Sequence, residues 1–237
     1  MRLIQRSGSL PVPLRLIGGT AVWFHCPSAH RAPLDRTYGD IDFVSLSKNN
    51  RALTQFFESN GYEPERLFNA LHGAQRLNFT DPKKGRPVDV LLDRFVMCHT
   101  LELANRLTID DTTIPLTDLL VTKAQVVELN EKDVKDIVAL VLDHEVGKTH
   151  DRIELARLAE LTNGNWGLEH TIRKTLQEVQ QATTWMGLQD GAAKLVVSRI
   201  AALIEALDHA PKSPRWRIRA RVGERVRWYL EPEEARR

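Results

Sequence analysis

Cysteine is scarce in this 237-residue chain, which holds only Cys26 and Cys98. Two cysteines are too few for a disulfide framework and form no C-x-x-C pair, so the chain reads as a protein of a reduced compartment. Long apolar runs are missing as well. No window approaches the roughly 20 apolar residues of a membrane-spanning helix. Residues 1–10 carry arginine, glutamine and a Ser-Gly pair where a signal peptide needs an unbroken apolar core. The expectation is a cytoplasmic protein with no membrane partner. An excess of one charge is also lacking. With a formal net charge of +2, any polyanion must be met by a local patch rather than by the whole surface. No fixed-period repeat or low-complexity tract appears.

What is present is globular material. Hydrophobic residues at 42% and charged residues at 27% argue for a packed core over general disorder. The length suits two domains, placed at 1–147 and, mainly helical with a basic tail, at 148–237.

The most informative stretch is Tyr38-Gly39-Asp40-Ile41-Asp42-Phe43-Val44. Its alternation of acid and apolar residues is the period of a half-buried strand, which puts Asp40 and Asp42 on one face. Two crowded carboxylates repel unless a cation sits between them, and hard oxygen donors suit Mg²⁺ or Mn²⁺. Upstream, Leu14 to Ile17 reads as a strand entering Gly18-Gly19-Thr20, followed by a helix from Ala21. Strand, glycine turn and helix start is a phosphate-binding geometry, because bare backbone N–H groups and the positive helix end face one point. Downstream, Asp89 is a lone carboxylate on the apolar strand Val88 to Leu92. A strand over 74–79 pairs with it as a hairpin, which brings Asp89 into the sheet of Asp42.

Between these strands a helix over Leu53, Phe56 and Phe57 ends at Asn60-Gly61, and residues 95–105 read as helical. Thr117 or Asp118 caps an amphipathic helix broken at Asn130, and a second runs from Lys132 to His144. Further helices cover 152–161, 168–184 and 192–207. In the tail, Arg215, Arg217, Arg219 and Arg221 alternate with apolar residues. This reads as a strand with four guanidinium groups on one face, turned at Gly223-Glu224 into a terminal β-hairpin able to track RNA phosphates. His25, Cys26 and His30 lack zinc-ligand spacing, and Cys98-His99 are merely adjacent, so both sets read as structural.

In their order, Gly18-Gly19, Asp40/Asp42 and Asp89 resemble the nucleotidyltransferase superfamily typified by DNA polymerase beta. Leu119 to Gln125, containing Lys123, and Lys132 to Ile137, containing Asp133 and Asp136, resemble the lysine helix and the K/R-D-x-x-D-I/L helix of the AbiEii-type subgroup. That subgroup includes toxins of toxin–antitoxin pairs. Two departures are visible: Gly19 stands where a serine is usual, leaving Thr20 as its substitute, and the Lys123 to Asp133 spacing is short, leaving either Asp133 or Asp136 as the equivalent acid. The resemblance implies an α+β fold, a mixed sheet flanked by helices. It also implies transfer of a nucleotide from a nucleoside triphosphate, such as ATP, to a hydroxyl of RNA, a tRNA end, protein or a small molecule. Asp40, Asp42 and Asp89 would hold the metal, Gly18, Gly19 and Thr20 the phosphates, and Lys123 would neutralise triphosphate charge; Arg36, in the loop just before Asp40, is a further candidate phosphate contact by its position. An antitoxin is the implied protein partner. A non-catalytic nucleotide- or RNA-binding module of the same fold is the alternative.

Overall fold

The computed structural model describes residues 2–8 and 12–232. They form a mixed α+β protein whose contacts divide into two compact units, one of residues 1–24, 37–95 and 100–115 and one of 25–36, 96–99 and 116–237. Each unit is discontinuous in sequence, and residues 116–147 group with the helical one.

The first unit is built on a sheet. Its elements are α1 (Arg2–Ser7), β1 (Arg15–Ile17), α2 (Gly18–His25), β2 (Ile41–Ser45), α3 (Asn50–Ser59), β3 (Glu63–Pro64), α4 (Arg66–His72), β4 (Arg76–Asp81) and β5 (Arg86–Leu92). The strand order is β1-β2-β5-β4-β3, with β2 and β5 parallel and the other neighbours antiparallel. The expected hairpin over 74–92 is therefore present. Register sorts the side chains by face, since residues paired across a sheet share a side. Leu16, Phe43, Val90 and Leu77 form one continuous apolar rung, and all four are buried. Phe57 of α3 packs on this face, stacked on Phe79 with ring centroids 4.5 Å apart and edge-on to Phe43 at 6.0 Å. The i, i+3, i+4 set Leu53, Phe56 and Phe57 supplies the buried stripe of that helix. Truncating Phe57 would remove a fully buried ring, a loss of about 3–5 kcal/mol.

The second unit is mainly helical: α5 (Leu116–Ala124), α6 (Glu131–Asp143), α7 (Leu155–Asn163), α8 (Trp166–Ala182), α9 (Asp190–His209) and α10 (Pro214–Val222). The helix expected to run to Asn130 stops at Ala124. Asn130 instead caps α6, its side-chain oxygen accepting from Asp133 N at 3.0 Å. Residues 95–105 are not a helix but two short strands, Arg94–Val96 and Thr100–Glu102, with a 3₁₀ turn after them.

The tail corrects the expectation of a β-hairpin: Arg215 to Val222 lies in α10. Ser213 caps it through a hydrogen bond from Trp216 N (3.2 Å), and Pro214 occupies the first turn, where its missing N–H costs nothing. Arginine is a good helix former, so these start signals outweigh the two-residue alternation. The helix docks on Glu169 of α8, a buried carboxylate that accepts from Lys212 and from the Trp216 indole at 2.8 Å.

Candidate functional site

In the first unit the rung next to the apolar one carries the acids. Ile17, Asp42, Asp89 and Asn78 are paired in sequence across β1, β2, β5 and β4. The parallel pairing of β2 with β5 thus sets two carboxylates side by side on one face, both half-buried. Asp40 precedes β2 and is exposed. Its backbone carbonyl accepts from the Thr20 hydroxyl at 3.1 Å, so Thr20 braces the acidic loop.

Gly18 ends β1 and starts α2 with φ of +69°. A Cβ there would run into the Asp42 carboxylate, and L-residues disfavour that φ. Glycine is required because the turn passes directly over Asp42. Gly19 follows in the first turn of α2.

Asp89 has partners that the sequence reading passed over. Arg76 of β4 forks it, Nε donating to Oδ1 at 2.7 Å and Nη2 to Oδ2. Arg76 and Asn78 lie two residues apart and so on one face of β4, from which Arg76 reaches Asp89 diagonally. With its amide nitrogen turned to the carboxylate, the orientation that satisfies both groups, Asn78 donates to Asp89 Oδ1 and to Leu77 O. The guanidinium also lies 5.9 Å from the Phe68 ring centroid. The alternation Arg76-Leu77-Asn78-Phe79 was the signal that could have put Arg76 and Asn78 on the acidic face.

Whether these residues suit a divalent ion is decided by the donor set. Asp42 and Asp89 are adjacent hard oxygen donors, and a cation already stands against one of them in the form of the Arg76 guanidinium. The pair fits Mg²⁺ or Mn²⁺ in donor type. Among the described residues no three His, Cys, Asp or Glu side chains are grouped as an ion would hold them. Asp40, Asp42 and Asp89 are thus not gathered as one group of three; Asp42 and Asp89 alone stand side by side.

The second unit gathers the other residues singled out in the sequence. Lys123 of α5 donates to Asp136 at 2.9 Å and to Asp133 at 3.4 Å, and Arg36 forks Asp136 at 2.8 and 2.7 Å. Asp136 is 1% exposed, so this is a buried network of two cations and two carboxylates. Burial disfavours the charged ammonium, yet Asp136 and Asp133 outweigh it and hold the Lys123 pKa above its ordinary value. Lys123 and Arg36, read as cations for a triphosphate, here have carboxylates as acceptors.

The tail arginines do not form one face. On a helix Arg215 and Arg219 lie on one side and Arg217 and Arg221 on the other. Arg219 closes the C-terminus of α10, donating to Gly223 O and Val226 O at 2.7 Å each, and stacks 4.7 Å from the Trp166 ring centroid. Arg215, Arg217 and Arg221 are exposed.

No protein-family model matches the chain, and no curated protein matches it. Among solved structures it is similar to the crystal structure of the lincosamide antibiotic adenylyltransferase LnuA with lincomycin bound. That likeness has 17% sequence identity and a TM-score of 0.41, over 59% of this chain and 92% of that one. So distant a likeness leaves the functional reading to rest on the residues themselves. Among the described residues no helix is long and apolar enough to cross a membrane.

Proposed function

We propose that the protein is a metal-dependent nucleotidyltransferase that moves a nucleotide from a nucleoside triphosphate to a hydroxyl acceptor. The observation that carries this reading is the in-register pair Asp42–Asp89 beneath the Gly18 turn. Asp42 and Asp89, with Asp40 from the adjoining loop, would hold Mg²⁺ or Mn²⁺. When bound, the ion supplies charge neutralisation at the transferring phosphoryl group and acidifies the attacking hydroxyl. The turn at Gly18 and Gly19 has no side chain to block a phosphate, and it lies at the positive end of α2. Thr20 holds the Asp40 loop beside that turn. Asp89, on the same face, would accept the acceptor's proton.

The acceptor class is set by experiment. Incubation with α-phosphate-labelled nucleoside triphosphates and Mg²⁺ should release pyrophosphate and put label on RNA, a tRNA end, protein or a small molecule. Growth arrest on expression, relieved by a co-expressed partner, would identify a toxin of a toxin–antitoxin pair. One observation favours a second reading, a nucleotide- or RNA-binding module without transfer: Arg76 and Asn78 engage the Asp89 carboxylate. Triphosphate binding without pyrophosphate release selects that reading.

A further inference from the structure

Beside the acidic rung stands a cation that a metal site does not need. Asp42 and Asp89 are neighbours on parallel strands, and Arg76 takes both oxygens of Asp89 in a fork while Asn78 adds a donor to Oδ1. A carboxylate oxygen engaged by guanidinium presents a poor lone pair to a metal, and positive charge at that spot repels a second cation. We propose that Arg76 is a resident competitor for the divalent ion at Asp89, so that guanidinium and metal occupy the carboxylate alternately. The proposal rests on the metal reading given above and adds to it a positioning residue with a sign: Arg76 weakens metal binding in the absence of nucleotide.

The local structure suits alternation. The Arg76 side chain is 32% exposed and that of Asp89 19%, so the pair lies open to solvent rather than sealed in the core. Phe68 of α4 offers the guanidinium an aromatic surface from which it need not retreat far. Once released, Arg76 remains on the face where a phosphate brings new acceptor oxygens, for which a planar fork is well matched. No bond is made or broken in the exchange.

The test is a titration of Mn²⁺ into the full chain without nucleotide, following the free aquo-ion by electron paramagnetic resonance. Removing a charge-assisted fork should tighten Mn²⁺ binding by about tenfold or more in Arg76→Gln. Arg76→Lys, a point cation that cannot fork, should fall between Arg76→Gln and the unmodified chain. The gain should vanish in Arg76→Gln combined with Asp89→Asn. Thermal melts matching the unmodified chain establish that the variants are folded. If Arg76→Gln binds Mn²⁺ no more tightly while Asp89→Asn binds it less, competition is overturned and the metal reading stands. If Asp42→Asn and Asp89→Asn both leave Mn²⁺ affinity unchanged, the metal reading itself fails.

Discussion

Arg76 forks Asp89 in one compact unit and Arg36 forks Asp136 in the other, each with two guanidinium nitrogens on two carboxylate oxygens. Their surroundings differ. Asp136 is 1% exposed and shares its charge with Lys123, while Asp133 brings the group of four to neutrality. Asp89 is 19% exposed and stands beside Asp42, a second carboxylate on the same face of the sheet. A buried, balanced network stabilises mainly by not being broken, whereas a half-buried pair of acids open to solvent can exchange its partners. The contrast is the ground on which the sheet face is proposed for chemistry and the helical network for holding α5 and α6 together.

The largest effect that would break this assignment is expected at Asp136. Asp136→Ala removes the acceptor shared by two buried cations and should cost about 3–5 kcal/mol in denaturant unfolding. Full stability together with lost nucleotidyl transfer would move the helical network into the chemistry.

Acid sharpens the contrast next, because the helical unit also buries His99. Burial lowers the pKa of that imidazole from 6.5 to about 4. Thr171 Oγ1, which donates to Gly167 O, lies 2.9 Å from His99 Nε2 and accepts from the Trp228 indole at 3.0 Å, so the ring is best served as a neutral Nε2–H donor. Below pH 6.5 the unfolded chain takes up a proton that the folded chain refuses. Stability from this source is complete above that pH and falls as pH drops towards 4, by up to about 3 kcal/mol. Denaturant melts from pH 7.5 down to 4.5, run on the chain and on His99→Gln, should show the acid-limb slope flattened in the variant. Equal slopes would remove His99 as its source.

Gly18→Ala probes the sheet face with the smallest expected cost, about 1–2 kcal/mol, since alanine must adopt a positive φ and its methyl meets the Asp42 carboxylate. Metal binding should weaken together with stability. An alanine variant as stable as the parent would show that the turn does not press on Asp42.

Much of this was legible in the sequence, and the reasons are local. The hairpin that carries Asp89 into the sheet followed from alternation in two strands and the Pro- and Gly-bearing turn between β4 and β5, whereas the register that pairs Asp89 with Asp42 did not. The stripe of α3 followed from its spacing. The Arg76 fork was not legible, because choosing a partner diagonally across a sheet needs the register and not merely the strands. The tail was misread because its alternation was given more weight than the Ser213-Pro214 start signal. The anchor for that tail, Glu169, lies more than forty residues earlier, as the 43-residue separation from Lys212 shows. The packing of α5 and α6 against α8 and α9 is a tertiary grouping that no linker composition marks.

The central claim is that the Asp42–Asp89 edge performs nucleotidyl transfer, and pyrophosphate release by Asp42→Asn tests it most directly. At a temperature where the variant is folded and Mg²⁺ and nucleoside triphosphate are saturating, release should fall by about a thousandfold or more. Release at the rate of the unmodified chain would contradict the account.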